Sequence, residues 1–258
     1  AFLLMDLWHR GFAEFANVGV NRYLDISRDD AGFVLLPFFM AVRAAVRAHV
    51  SATQIEEGAG ADAPLAESAK AYFKFARALL ASRSPRLVAI GGLSGSGKST
   101  LADALAPRLS GPPGARILES DRIRKAMFGV APEERLPLDA YRPEVSREVY
   151  RQLVDRAGLI LLRGGSVLVD AVFDRQEDRD HIQSLAETLR IPFTGIWLEA
   201  DASVLMERVR KRPQGTSDAT LDVLQMQLAK DLGPLSWHRV DTARPMDRVL
   251  ADIEAYLG

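Results

Sequence analysis

Eight consecutive residues, Gly92-Leu93-Ser94-Gly95-Ser96-Gly97-Lys98-Ser99, carry the spacing GxxxxGK[ST] in full. Glycines at these places let the backbone curl until successive N–H groups converge on one anion, and a helix that follows adds its positive end. The chemistry is phosphate binding. Gly92, Ser94, Gly95, Ser96, Gly97 and Thr100 form the candidate cradle, Lys98 the cation that bridges β- and γ-phosphates, and Ser99 a hydroxyl ligand for Mg2+. A divalent ion held in this way needs a carboxylate at the end of a neighbouring buried strand. The run Ser166-Val167-Leu168-Val169-Asp170 supplies one, so ATP with Mg2+ is the expected ligand, held at the metal by Ser99 and Asp170.

Several chemistries use such a cradle, and other residues separate them. A guanine-reading switch needs an Asn-Lys-x-Asp element, whereas the only asparagines are Asn17 and Asn21, far upstream. Mechanical ATPases usually follow the strand-end Asp with a Glu that orients water, and Asp170 is followed by Ala171-Val172-Phe173. Transfer to an acceptor hydroxyl asks instead for a carboxylate base, a cation that grips the acceptor, and arginines that close over the γ-phosphate. In Glu119-Ser120-Asp121-Arg122-Ile123-Arg124, Asp121 and Arg124 stand three apart and share one helix face. Position alone leaves two readings open: base and acceptor clamp, or helix cap and solvated charge. Arg208, Arg210, Lys211 and Arg212 end a helix before Pro213-Gln214-Gly215-Thr216-Ser217. A basic helix end closed by a Gly-containing loop suits a lid over phosphates, with Arg208 and Arg212 facing the γ-phosphate. The plainer alternative is a helix C-terminus whose cations complement its dipole.

These residues need a scaffold that brings 92–99, 121 and 170 to one edge of a sheet. From residue 85 onward short β-branched runs alternate with amphipathic helices, the texture of a parallel sheet covered on both faces. Strands are expected at 87–90, 116–118, 167–169, 193–198 and 239–240. Helices are expected near 98–109, 121–128, 142–163, 176–189, 202–212, 218–231 and 246–256. The fold class is therefore α/β, a three-layer P-loop sandwich with five parallel strands over 85–258. Residues 1–84 show only helical spacing, so an all-helical segment precedes it. Within that segment 51–67, rich in Ala, Gly, Glu and Asp, reads as a connection between helices, the second running over 64–82.

The chain has 258 residues, with Lys plus Arg 33 against Asp plus Glu 34. Balanced charge supplies no field for long nucleic acid or an anionic membrane, so a charged ligand must meet a local cluster. The apolar stretch 32–42 contains Pro37 and is too short to span a bilayer. No cysteine is present, which excludes disulfides and thiolate sites and suits a reducing cytoplasm. The opening Ala1-Phe2-Leu3-Leu4-Met5 reads as a cut inside a longer protein rather than a natural start. Trp197, Trp237 and Tyr141 read as core aromatics, and His181 and His238 lack partners at metal-ligand spacing. Arg147 and Arg179 fall on helices that can border an acceptor pocket, or on solvated faces.

Taken together the motifs resemble the P-loop kinases that include polynucleotide 5′-hydroxyl kinases, gluconate kinase, chloramphenicol phosphotransferase and zeta toxins. The resemblance implies a kinase that transfers phosphate to a hydroxyl of a small molecule. It makes Lys98 and Ser99 the phosphate and magnesium residues, and Asp121 with Arg124 an Asp-x-x-Arg pair in which Asp121 activates the acceptor. More closely, Val169-Asp170-Ala171-Val172-Phe173 with Arg179, Glu207-Arg208-Val209 with Arg212, Ser217-Asp218-Ala219 and Arg239-Val240-Asp241-Thr242 resemble certain bacterial two-domain proteins. In those, such a domain follows an aminoglycoside-phosphotransferase-like lobe. The resemblance implies that residues 1–84 are the closing helices of that lobe and carry no active site, since His9-Arg10-Gly11 lacks the Asp of a catalytic loop. It also puts adenine between the lid and Asp241-Thr242-Ala243-Arg244. Acceptor identity and oligomeric state are left open.

Overall fold

The computed structural model describes residues 1–56, 63–81, 83–211 and 217–257. The chain divides into two compact units, Ala1–Ser84 with Pro107–Ala115 and Pro85–Ala106 with Arg116–Gly258.

The first unit is built from helices α1 (Phe2–His9), α2 (Ala13–Ser27), α3 (Asp30–Phe33), α4 (Leu36–Glu56) and α5 (Ala63–Leu79). Met5, Met40, Ala41, Ala44, Ala76 and Leu79 are buried together from α1, α4 and α5, and the small alanines let the helices approach closely. Helix α4 continues through residue 56, so 51–56 are helical rather than part of a connection. Ala52, Gln54 and Glu56 are good helix formers, and a lack of large apolar side chains marks an exposed helix as readily as a loop. The remaining connection, 57–62, lies outside the described residues. Residues 107–115, which the sequence reading assigned to the second domain, pack with the helices. The buried Asn17 donates to the carbonyls of Pro113 (2.8 Å) and Ala115 (3.1 Å), and the Arg83 guanidinium donates to the Ser110 carbonyl at 2.7 Å.

The second unit is a five-stranded, all-parallel sheet in the order β2-β3-β1-β4-β5. The strands are β1 (Leu87–Gly92), β2 (Arg116–Glu119), β3 (Val167–Asp170), β4 (Phe193–Glu199) and β5 (His238–Asp241). Every residue of β1, β2 and β3 is buried, which requires cover on both faces. That cover comes from α6 (Lys98–Leu105) with α12 (Met246–Leu257), and from α8 (Pro143–Leu162) with α9 (Gln176–Leu189). Right-handed crossovers explain the two layers: β1 to β2 runs one way along the sheet and β3 to β4 the other, so α6 and α9 fall on opposite faces. The order reverses between β1 and β3, and ligands of such sheets bind outside the carboxyl ends of strands at that reversal. Helices α7 (Ser120–Met127), α10 (Ala202–Lys211) and α11 (Leu221–Leu228) complete the unit. Among the described residues no helix is long and apolar enough to cross a membrane.

Candidate active site

Strand β1 runs into the turn 93–97, which opens α6, the context the phosphate-loop spacing demands. Gly95 and Gly97 have φ of 83° and 92°, where a side chain is strained. At Gly95 a Cβ would also stand 2.8 Å from the Leu205 carbonyl of α10, whereas at Gly97 it would meet open space. The Lys98 ammonium lies inside the turn, donating to the carbonyls of Gly92 (2.9 Å) and Leu93 (3.1 Å). Ser94 and Ser96 are buried, and Thr100 stands exposed in the first turn of α6.

Parallel register brings the acids to this loop. Asp170 lies beside Ile90 of β1 on one side and beside Glu119 of β2 on the other. The Ser99 hydroxyl donates to Asp170 Oδ2 at 2.7 Å. Burial pushes the Asp170 carboxyl up to about 7; Lys98 and the Ser99 hydroxyl oppose that, while Glu119 and Asp121 add to it. Asp121 is raised as well, chiefly by burial, against the Ser217 hydroxyl, Lys98 and Arg124. Its side chain keeps some exposed area, but the protein around the carboxyl is dense enough to desolvate the charge. Lys98, Ser99, Asp121 and Asp170 therefore form one electrostatic cluster.

The arginines fall differently. Arg124 is buried, donates to the Ala140 carbonyl at 2.7 Å and lies over the Tyr141 ring at 4.9 Å. Its buried Nε has no hydrogen-bond partner among the described residues. Arg208 does not point its bonds at the phosphate loop: its guanidinium donates to Thr242 Oγ1 (3.1 Å) and the Thr242 carbonyl (2.6 Å), just past β5. A cation near a helix end serves whichever carbonyl it can reach, and here that is the loop the resemblance associates with adenine. Arg212 and the loop through Thr216 lie outside the described residues. Arg179 is a buried tie, donating to the carbonyls of Phe173, Leu232 and Pro234. Arg147 pairs with Glu144 and lines a cavity of about 340 Å3 between α8 and α9, together with Tyr150, Phe173, Arg175 and His181. Neither a phosphate-loop residue nor Glu119, Asp121 or Asp170 lines that cavity. Trp197 and Trp237 are core residues, whereas Tyr141 is exposed rather than core, its hydroxyl donating to Asp218.

Three residues of the cluster escaped the sequence reading. Glu119 ends β2 as Asp170 ends β3, a parallel visible in hindsight from strand-end acids. Ser217 reaches Asp121 from across the domain, and Gln227 of α11 accepts from the Ser94 backbone N–H at 2.9 Å. No local pattern signals either contact. Ser217 is followed by Asp218, which accepts from the buried Lys125 (3.1 Å), the Leu136 backbone (3.0 Å) and Tyr141 (2.7 Å).

The donor set at Ser99 and Asp170 is two hard oxygens, which fits Mg2+ shared with phosphate oxygens. Among the described residues no group of three or more His, Cys, Asp or Glu is placed to hold a metal ion.

A parallel sheet with a phosphate loop after its central strand and an acid ending the next strand defines a P-loop kinase-type α/β domain. The profile of the AAA_33 family, an AAA domain, matches residues 87–231, and the chain belongs to that family. An uncharacterized protein of Mycobacterium tuberculosis (strain H37Rv) is 30% identical over 252 residues, 96% of this chain and 49% of its own length. The chain thus spans about half the length of that relative. A shikimate kinase from Bradyrhizobium diazoefficiens is 32% identical over 137 residues, covering 52% of this chain and 58% of that protein. The crystal structure of a candidate kinase from Chloroflexus aurantiacus superposes with a TM-score of 0.52 at 23% identity, covering 69% of this chain and 98% of that one, and shares the fold.

Proposed function

We propose that the chain is an ATP-dependent kinase that moves the γ-phosphate to a hydroxyl of a small molecule. The observation that carries this reading is the clustering of Asp121 with Lys98, Ser99 and Asp170: a candidate base stands beside the phosphate cradle. The amides of Gly95, Gly97, Lys98 and Ser99 and the Lys98 ammonium bind and orient the triphosphate, the Ser94 and Ser96 N–H groups being held by Gln227 and by the Leu93 carbonyl. Ser99 Oγ and the Asp170 carboxylate would hold Mg2+, which would supply positive charge to offset that of the triphosphate. Asp121 takes the proton of the acceptor hydroxyl as that oxygen bonds to the γ-phosphorus and the bond to ADP breaks. Arg124, with its unpartnered buried Nε, contacts the acceptor. Arg208 anchors the end of α10 to Thr242 and shapes the edge where adenine lies, while Arg212 would close on the γ-phosphate.

Helices α1–α5 are proposed to close an aminoglycoside-phosphotransferase-like lobe of a longer protein. The roughly twofold length of the mycobacterial relative supports this, as do Phe15, Ile26 and Phe38, exposed to 70%, 84% and 54% on the helical unit. The cysteine-free composition supports a cytoplasmic site of action.

Screening sugars, antibiotics, nucleosides and 5′-hydroxyl oligonucleotides for acceptor-dependent ADP release tests the reading. Lys98→Ala should abolish transfer, and Asp121→Asn should lower kcat by about 10²-fold or more with ATP affinity nearly unchanged. ATP binding without transfer to any acceptor would make the domain a regulatory module, and acceptor-independent phosphate release would make it a slow ATPase.

A further inference from the structure

We propose that Gln227 is a ligand for the terminal phosphate and lets the site distinguish a nucleoside triphosphate from a diphosphate. The inference rests on the nucleotide-binding reading above. Gln227 Oε1 accepts from the Ser94 N–H at 2.9 Å, across 133 residues of chain. Because a backbone N–H can only donate, this contact fixes which end of the carboxamide faces the loop. The other end is Nε2, whose two N–H donors have no partner among the described residues. A neutral group with both of those donors available thus stands at the rim of a phosphate cradle.

Which phosphate it meets follows from Lys98. The ammonium of this loop lysine serves the β- and γ-phosphates, and it rests on the carbonyls of Gly92 and Leu93. Ser94 is the next residue, so Gln227 enters from the same end of the loop. Helix α11 holds it there firmly. Thr220 Oγ1 caps the helix by accepting from the Val223 N–H, and Leu224, one turn before Gln227 and on the same face, is fully buried. Gln227 itself is half-buried, so a hydrogen bond from it to an anion is partly shielded from water. An amide suits this place because a carboxylate of the same shape would accept from Ser94 equally well and then repel the phosphate.

The test is calorimetric titration of AMPPNP and of ADP, each with Mg2+, into the wild type, Gln227→Ala and Gln227→Glu, with thermal melting to confirm folding. Gln227→Ala should weaken AMPPNP about 10-fold or more, the range of one hydrogen bond to a charged group, and change ADP by about 3-fold at most. Gln227→Glu, which is isosteric and can keep the Ser94 contact, should weaken AMPPNP further than alanine does and again affect ADP less. Equal losses for both nucleotides, or no loss in either variant, overturn the inference; if alanine unfolds the domain, glutamate alone decides. A wild type that binds neither nucleotide overturns the underlying reading as well. Wild-type binding lost in Lys98→Ala but unaffected at 227 removes only the role of Gln227.

Discussion

Asp170→Asn should make the nucleotide-free protein more stable while stripping it of magnesium-dependent nucleotide binding. The Asp170 carboxyl is 5% exposed and lies beside two further acids, with its pKa held near 7 against 3.8 for an ordinary aspartate. A pKa raised on folding means that the folded state favours the protonated form. The associated stability is fully present below about pH 4 and is lost as the pH climbs through about 7. Ionising a buried group across that gap costs roughly 4 kcal/mol at pH 8 and under about 2 kcal/mol at pH 5. Asparagine carries no charge, and its carbonyl can still accept from the Ser99 hydroxyl. Its advantage over the wild type should therefore grow by about 2–3 kcal/mol between pH 5 and pH 8. Urea unfolding of both proteins at the two pH values reads this directly. A variant less stable than the wild type at pH 8, or one whose advantage does not change with pH, would refute the reasoning.

The two loop glycines make a matched pair. Gly97→Ala meets only the strain of a positive φ and should cost about 1–2 kcal/mol, whereas Gly95→Ala adds a clash with the Leu205 carbonyl and should cost about 2–5 kcal/mol; chemical denaturation ranks them. Lys125→Ala removes the cation facing Asp218, both nearly buried, and should cost about 3 kcal/mol by the same assay, with Lys125→Met milder because it fills the space. Asn17→Ala strips the buried Pro113 carbonyl of its side-chain donor and leaves Ala115 with only the longer bond from Asn21 (3.3 Å), and should destabilise the helical unit by about 1–3 kcal/mol, read as a lower urea midpoint.

The parts of this architecture that were legible in the sequence depend on short-range pattern. Strand β1 and the glycine spacing after it are contiguous, so the loop could be read residue by residue. Asp170 stands out because three consecutive apolar residues, Val167-Leu168-Val169, lead to it. Residues 51–56 misled because a small, polar composition describes an exposed helix as well as a loop, and only the backbone decides. Glu119 has no such local signal: its place next to Asp170 lies in register, set when β2 pairs with β3. Cations gathered at a helix end point Arg208 toward phosphate in the sequence, but the direction of a guanidinium is set by tertiary neighbours, here Thr242. Ser217 and Gln227 act across 96 and 133 residues of chain, where no periodicity can point.

The central claim is that the loop of residues 92–99, through its lysine and its remaining amides, and the carboxylate of Asp170 hold one magnesium–triphosphate unit. Titrating ATP into the wild type with Mg2+ and again with a chelator, then into Lys98→Ala, measures it most directly. Binding at least about 10-fold tighter with Mg2+, and lost in the lysine variant, is the expected result. Affinity that ignores both the metal and Lys98 would contradict it.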